Sequence, residues 1–191
     1  FQPYVLSAER YATHTIEELT ALPHRGMARV AGLVTGVQDG VSKKSGKRYA
    51  MVTIEDLTGS VQLLAMNENY DKFRELFATN NALLVTAEVS TGEDKPKLFP
   101  QDILRLDDAP RKLTKQVQLR FDTDTLDRAK LESARAVIEA HKGSISLFLA
   151  LKLPGGETAF LSPNSHFTVA PSNALEAAIT DAFGPGTYYA V

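Results

Sequence analysis

Two alternating runs joined by a short turn restrict the fold of this chain most strongly. In residues 49–55 every second residue is aliphatic, and apolar residues alternate again in residues 61–65. Alternation with a period of two is the pattern of a β-strand that buries one of its faces. The sequence Leu-Thr-Gly at 57–59 can form a tight turn between the two runs. This stretch therefore predicts an antiparallel β-hairpin.

The sequence around the hairpin predicts three more strands and one helix. Residues 29–37 predict a strand before the hairpin, and residues 82–89 and 98–106 predict two strands after it, the last with a bulge near Pro100. A helix at 67–77 separates the third and fourth strands, because its aromatic residues recur at helical spacing. Five strands with a helix in this position are the element order of an OB-fold, a small Greek-key β-barrel.

Changes of pattern divide the chain into four parts. Residues 1–26 predict a helical lead-in, and residues 27–108 contain the predicted OB-fold. The polar, proline-containing residues 109–115 predict a linker. Residues 116–191 alternate strand and helix patterns, which predicts a small α+β domain. We therefore expect a chain that combines a mostly-β barrel with an α+β domain.

Helix starts outside the barrel carry capping signals. Thr15 and Glu18 have the spacing of a capping box at the start of a short helix. Asp124 and Asp127 open one helical pattern, and Ser172 or Asn173 is the predicted N-cap of the final helix. Leu131 is predicted to face inward from the first of these two helices. These signals locate the helices of the lead-in and of the C-terminal domain.

Composition excludes several classes of protein. The 191 residues carry a formal net charge of -2, so no overall field draws the chain toward nucleic acid or membrane. The chain has no cysteine, which excludes disulfides and thiolate metal sites and fits a reducing, cytoplasmic location. We predict no membrane association, because no apolar run is long enough to span a bilayer. A first residue other than Met favours a segment of a longer chain.

A basic stretch lies where the predicted barrel connects its first and second strands. Residues 38–48 hold four cations against the single acid Asp39. In OB-folds this connection and the connection between the fourth and fifth strands flank the groove that binds oligonucleotides. The second connection and the strand after it add Lys95 and Lys97, partly offset by Glu93 and Asp94. Charge is therefore concentrated where an OB-fold would bind phosphates.

Aromatic and apolar residues accompany these cations. Tyr49 and Met51 are predicted on the outward face of the hairpin, Phe99 on the fifth strand, and Arg29 on the first strand. Bases stack on aromatic rings at about 1–3 kcal/mol each, and Lys or Arg pairs with phosphate in a salt-sensitive way. The residues that we predict to bind nucleic acid are Arg29, Lys43, Lys44, Lys47, Arg48, Tyr49, Met51, Lys95, Lys97 and Phe99.

The chain shows no pattern of enzyme machinery. It has no P-loop, no GxSxG sequence, no HExxH sequence and no cysteine nucleophile. Glu55 and Asp56 point to opposite sides of a strand end, and Asp122, Asp124 and Asp127 fit the start of a helix better than a Mg²⁺ site. We predict no catalytic residue, no metal site and no cofactor in this chain.

Several segments resemble one family of replication proteins. The sequences ARVAGLVT at 28–35, KSGK at 44–47 and AMVTIEDLTG at 50–59 resemble the OB domain near the C-terminus of the bacterial DNA polymerase III alpha subunit. The sequence ATHTIEEL at 12–19 resembles that family's lead-in to the domain, and VAPS at 169–172 resembles its C-terminal domain. The resemblance is specific in the OB half and looser after it.

The resemblance implies a function for each half of the chain. In this family the OB domain binds single-stranded template DNA, and the last domain contacts the tau subunit of the clamp loader. The tau contact would fall within residues 116–191, and the polymerase active site would lie upstream in the parent enzyme. The positions that would take the DNA-binding role are Lys43, Lys44, Lys47, Arg48 and Tyr49.

Two other functions remain open at the level of sequence. The barrel could be a protein-interaction module whose groove binds a peptide, which would show little dependence on ionic strength. It could also be an RNA-binding module, since lysyl- and aspartyl-type tRNA synthetases carry a related OB domain. A preference for RNA over DNA of the same sequence would favour that function.

Overall fold

The computed structural model describes residues 1–92, 95–163 and 167–191. The chain forms two compact units, Phe1–Ala109 and Pro110–Val191, and each has its own buried core. None of the helices in the described residues is long and apolar enough to cross a membrane.

Five strands build the barrel of the first unit. In chain order they are β1 (Gly26–Val41), β2 (Arg48–Glu55), β3 (Ser60–Met66), β4 (Ala82–Ser90) and β5 (Lys97–Arg105). Their spatial order is β1-β2-β3-β5-β4, and β4 returns to β1, so the barrel is closed. All neighbours are antiparallel except β3 and β5, which run parallel. This topology confirms the predicted OB-fold.

The hairpin of β2 and β3 buries the face that its alternation predicts. Ala50, Val52 and Ile54 are fully buried, and so are Leu63 and Ala65 on the partner strand. Each large aliphatic side chain removed from water in this way contributes about 1.5–3 kcal/mol to folding. The alternation therefore fixes which face of the hairpin points outward.

The first strand is longer than the sequence predicts. Residues 29–37 were the expected strand, but pairing with β2 continues from Leu33 to Val41, past a register shift between Val34 and Gly36. The predicted connection at 38–48 therefore shrinks to residues 42–47. Glycine and aspartate in this segment indicate a loop by propensity, but a ladder of backbone hydrogen bonds to β2 outweighs that weak preference.

The helix between β3 and β4 is shorter than predicted. It comprises α2 (Glu68–Phe73) and a single 3₁₀ turn at Arg74–Leu76. Asn67 occupies the N-cap position with φ of 56° but makes no side-chain capping bond. Tyr70 and Phe73 are buried in the barrel core, as their spacing predicts. In β5, a register shift beside Pro100 confirms the predicted bulge.

The lead-in consists of α1 (Val5–Tyr11) and a 3₁₀ helix at Glu17–Ala21. Of the predicted capping box, the backbone N–H of Thr15 donates to Glu18 Oε2 at 2.7 Å. This bond holds the pKa of the Glu18 carboxyl below its ordinary value. Helix α1 was not predicted in detail, since its sequence lacks a capping side chain.

Asp56 joins the lead-in to the turn between β2 and β3. Its Oδ1 accepts hydrogen bonds from the backbone N–H of Thr58 at 2.7 Å and of Gly59 at 3.0 Å. Its Oδ2 accepts from the backbone N–H of Ile16 at 2.8 Å. The carboxylate therefore satisfies backbone donors from two segments, a structural role that explains its place in the turn.

The second unit is a mixed sheet with helices packed on one of its faces. Its elements are α3 (Ala109–Leu113), β6 (Gln116–Asp122), α4 (Arg128–Ala140), β7 (Lys142–Lys152), β8 (Thr158–Leu161), β9 (Thr168–Val169), α5 (Asn173–Phe183) and β10 (Tyr188–Ala190). The order is β10-β6-β7-β8, with β9 paired to the start of β7. Only β6 and β7 run parallel. Helix α3 occupies most of the predicted linker, and β10 was not predicted.

The two long helices of this unit start where their caps predict. Asp127 accepts a hydrogen bond from the backbone N–H of Lys130 at 2.8 Å, and Ser172 accepts one from Leu175 at 3.1 Å. The prediction that Leu131 faces inward was wrong, because its side chain is 41% exposed. Packing against the sheet centres on Ala134 and Ile138, one and two turns further along α4.

Candidate nucleic-acid interface

The outward side of the hairpin and the adjoining half of β1 form one continuous surface. Residues that pair directly across antiparallel strands lie on the same side of a sheet, so the register defines three rows of side chains. We call this surface the hairpin face. Its rows are Gly40, Tyr49 and Met66; Gln38, Met51 and Leu64; and Gly36, Thr53 and Gln62.

The ring of Tyr49 lies across the backbone of Gly40. A Cβ atom placed on Gly40 would lie 2.5 Å from Cζ and 2.6 Å from the hydroxyl oxygen of Tyr49. Real Cβ atoms do not approach other atoms so closely, so this ring position requires glycine at 40. Tyr49 is half-buried, with one side of the ring against the strand. The arrangement gives a flat aromatic surface at the start of β2.

Residues 42–47, which we call the basic turn, adjoin this ring. The backbone N–H of Ser42 donates to Lys47 O at 2.9 Å, and the N–H of Gly46 donates to Ser42 O at 2.8 Å. Gly46 has φ of 69°, a conformation that glycine adopts at little cost. These bonds give the turn a defined shape beside the row of Tyr49.

The cations of the basic turn are exposed to solvent. Lys43, Lys44 and Lys47 all have exposed side chains. Within residues 1–92, 95–163 and 167–191, no carboxylate lies within ion-pair distance of any of the three. Their charge is thus available to an external anion.

Arg48 is exposed but does not share the hairpin face. Adjacent residues of a strand point to opposite sides, so Arg48 points away from the side that carries Tyr49 and Met51. The structure therefore brings the three lysines, Tyr49 and Met51 together and places Arg48 behind them.

Arg29 and Phe99 lie on another wall of the barrel. Arg29 pairs with Thr86 of β4 in register, and its Nε donates to Thr86 Oγ1 at 3.3 Å. Phe99 pairs with Glu88 of β4 and lines a cavity of about 450 Å³ together with His24. Neither residue belongs to the rows of the hairpin face.

Lys97 reaches the hairpin face from the opposite end. It pairs with Gln62 of β3, in the row that is furthest from the basic turn. Lys95 is exposed in the connection before β5. Glu93 and Asp94, which were expected to offset these two charges, lie outside the described residues. The hairpin face is thus bordered by lysines at both of its ends.

Several residues of the hairpin face were missed by sequence reasoning. The sequence places Gln38 and Gly40 in the predicted connection between the first two strands, and it places Leu64 and Met66 in a strand without indicating a binding role. The signal that could have identified the last two was the turn at 56–59. Its length fixes the register of the hairpin and so places Met66 opposite Tyr49.

The acidic residues show no arrangement for metal binding. No group of three or more His, Cys, Asp or Glu side chains in the described part of the chain lies close enough to hold a metal. Asp127 caps α4, and Asp122 Oδ1 accepts from the backbone N–H of Asp124 at 3.1 Å. Glu55 accepts from the hydroxyl of Thr35 at 3.1 Å. These carboxylates accept hydrogen bonds from backbone N–H groups and from a side-chain hydroxyl.

The barrel is similar to known OB-fold proteins in sequence profile and in structure. The sequence profile of the family described as OB-fold nucleic acid binding domain matches residues 28–106. The OBody AM3L15, in a structure bound to hen egg-white lysozyme, aligns with a TM-score of 0.43 and 20% identity over 50% of this chain and 94% of its own. The replication factor A related protein from Methanobacterium thermoautotrophicum aligns with a TM-score of 0.39 and 19% sequence identity. The alignment covers 51% of this chain and 93% of that protein's chain.

Sequence relatives extend over both units. DNA polymerase III subunit alpha of Saccharopolyspora erythraea is 23% identical over 171 residues, 87% of this chain and 14% of that protein. The subunit of Pseudomonas aeruginosa is 25% identical over 183 residues, 95% of this chain and 15% of that protein. The chain therefore spans only about a seventh of the length of these relatives. Residues 28–106 thus match the family described as OB-fold nucleic acid binding domain, and most of the chain is similar in sequence to the DNA polymerase III alpha subunit.

Proposed function

We propose that this chain is a non-catalytic C-terminal part of a DNA polymerase III alpha subunit and that its barrel binds single-stranded template DNA. The observation that carries the proposal is the ring of Tyr49 packed against Gly40 beside three exposed lysines without ion pairs in the described residues. An aromatic surface next to cations is the combination that single strands require.

Each part of the hairpin face has a role in this proposal. One base stacks on the exposed side of Tyr49, and the sugar or the next base contacts Met51. The lysines of the basic turn pair with phosphates at one end, and Lys97 does so at the other end. Gln38 and Gln62 offer side-chain amides between the ends. These contacts recognise the strand through stacking and charge, which predicts little dependence on base sequence.

Fluorescence anisotropy with a labelled single-stranded oligodeoxynucleotide tests the proposal. We expect saturable binding that prefers the single strand to a duplex and weakens as salt rises. Replacing Lys43, Lys44 and Lys47 together by Gln removes up to three phosphate contacts. The slope of log K against log salt should then become shallower by about 2, since each phosphate contact contributes roughly 0.7.

A second triple variant separates local contacts from net charge. Lys112, Lys130 and Lys142 are exposed lysines of the second unit, and replacing them by Gln removes the same formal charge. Affinity and slope should stay close to wild type in this control. The proposed DNA site would be refuted if both triple variants lost the same amount of affinity. It would also be refuted if the affinity and salt slope of the basic-turn variant were unchanged. Tighter binding of the matching RNA would move the assignment to an RNA-binding module.

We also propose that the second unit contacts the tau subunit of the clamp loader, and that the protein acts in the cytoplasm. Both proposals rest on what the resemblance to the polymerase family implies, and sequence similarity to the alpha subunits over most of this chain supports them. Binding of purified tau to Pro110–Val191 tests the contact, and no binding to the folded unit would contradict it.

A further inference from the structure

In the described residues, the long helices of the second unit pack on only one face of its sheet. Its helices contact the side that buries Val117, Leu119 and Leu147, which share a core with residues of α4 and α5. The opposite side, which we call the open sheet face, is set by the register of β10, β6, β7 and β8. Its central residues are Gln118, Arg120, Phe148, Ala150, Lys152, Phe160 and Tyr189.

Two aromatic rings stand exposed on this face. Phe160 is 61% exposed and Tyr189 is 42% exposed, on strands at opposite edges of the sheet. Exposing large rings to water is unfavourable, and paired exposed rings on one face indicate a surface that binds something. Phe148 lies between them on β7 and is half-buried.

Arg120 lies between the two exposed rings. Its Cζ is 3.7 Å from the ring centroid of Tyr189, and its Nη2 donates to Gln118 Oε1 at 3.4 Å. No carboxylate of the described residues lies within ion-pair distance of its guanidinium. The cation–π contact holds the Arg120 guanidinium against the Tyr189 ring, and the positive charge of Arg120 stays available to an external anion.

A concave site lies beside Arg120. A cavity of about 450 Å³ has Ala150 as its floor, which is 4% exposed, and Phe160 and Arg120 among its walls. Asp122, Lys152 and Thr158 also line the cavity. The lining combines an aromatic ring with two cations and one carboxylate, which suits a flat aromatic ligand that carries a phosphate.

The open sheet face suits nucleic acid better than a protein partner. A protein interface concentrates its apolar residues at the centre and its polar residues at the rim. Here polar Gln118 and Arg120 lie on the central strand β6. Apolar Phe148 and Ala150 lie beside them on β7, so the centre of the face is mixed and not an apolar core. The charged residues among the strands of this face are Arg120, Lys152 and Asp122, which favours an anionic ligand. Amide and guanidinium groups between stacking surfaces match the edges of unpaired bases.

We propose that the open sheet face is a second binding surface for single-stranded nucleic acid, with bases stacked on Phe160 and Tyr189 and a phosphate paired with Arg120 or Lys152. This site is separate from the hairpin face, so it can exist whether or not the barrel binds DNA.

Photo-crosslinking on the whole chain tests the second site. An oligodeoxynucleotide of about 30 residues carrying 5-iodouracil is irradiated with the protein, and crosslinked peptides are mapped by mass spectrometry. We expect crosslinks at Phe160 or Tyr189. Crosslinks confined to residues 27–108 would overturn this proposal and leave the barrel site standing. Crosslinks confined to the second unit would support the open sheet face and would overturn the binding site proposed on the barrel.

Matched variants test the contribution of the rings to affinity. Replacing Phe160 and Tyr189 by Ala should weaken binding of the long oligonucleotide about thirtyfold or more, because each of the two rings loses one stacked base. Leu161→Ala is the control, since Leu161 is 48% exposed on the same strand but points to the other side of the sheet. All the variants must melt near the wild-type temperature. A double variant that binds the oligonucleotide as wild type does but loses tau would show that this face binds protein, and the proposal would fail.

Discussion

At the scale of single residues, the hairpin face depends on a position that carries no side chain. Gly40 has an ordinary backbone conformation, so its conformational freedom is not what the structure uses. What matters is the missing Cβ, because the Tyr49 ring occupies the space where that atom would be. A binding surface can thus be defined by a residue that contributes no functional group.

Gly40→Ala should displace the Tyr49 ring and weaken oligonucleotide binding by about as much as Tyr49→Ala does. The loss of one stacked base corresponds to roughly 1–3 kcal/mol of binding free energy. Gly36→Ala is the matched control, because a Cβ there would lie 3.5 Å from Thr53 Oγ1, an ordinary contact. Anisotropy titration of the three variants measures the effect. If Gly40→Ala bound the oligonucleotide with wild-type affinity, the position of the Tyr49 ring would not contribute to binding.

Asp56→Ala should destabilise the first unit by about 2 kcal/mol, since a half-buried carboxylate that accepts several hydrogen bonds leaves its donors unpaired when it is removed. Chemical denaturation followed by circular dichroism measures this loss. Asp39→Ala removes an exposed acid from the neighbouring strand and serves as the control. Equal stability of the two variants would contradict the role given to Asp56.

At the scale of elements, local patterns predicted the barrel better than its boundaries. The alternation in 49–55 and 61–65 predicted both the strands and their buried faces. The continuation of β1 to Val41 could not be predicted, because it depends on pairing with β2 and not on local propensity. Strand β10 was missed since it has three residues and is held by pairing with β6.

The candidate site was predictable only in part. The basic turn was visible as a cluster of charge, and Tyr49 as the outward residue beside it. The separation of Arg29 and Phe99 from this cluster depends on how a closed barrel distributes its strands around the circumference. Sequence spacing carries no information about that distribution, so both residues were grouped with the site.

Glu139 gives a pH-dependent contribution to helix α4. Its hydrogen bond from Arg135, at 2.8 Å, holds the pKa of the Glu139 carboxyl below its ordinary value. A lowered folded-state pKa means that the stabilisation is present above the unfolded pKa, about 4.3, and is lost as pH falls through the folded pKa. Glu139→Gln should therefore lower the melting temperature slightly at pH 7. The difference from wild type should shrink as pH falls below the unfolded pKa of about 4.3, and it should vanish once Glu139 is protonated in the folded protein. A difference that persists in acid would contradict this account.

At the scale of the whole molecule, two units with separate cores should be separable. All five barrel strands and the lead-in lie within Phe1–Ala109. We expect this unit alone to melt cooperatively and to keep salt-dependent oligonucleotide binding. The control is a chain of residues 1–90, which lacks β5 and so cannot close the barrel. Circular dichroism melts and anisotropy test this, and an unfolded first unit would contradict the division.

Strand β1 pairs with both β2 and β4, and this pairing also affects the rate at which the barrel can fold. Strands β2 and β3 are joined by a short turn, and such a hairpin forms in about 1–10 μs. Strand β1 must instead find β4 far along the chain, with Leu33 meeting Ala82 and Gly26 meeting Val89. Contacts between residues so distant in sequence slow folding to about milliseconds or longer. Closure of the barrel is therefore the step at which we expect the folding rate to be set, and until it occurs β1 and β4 expose unpaired edges that a chaperone can recognise.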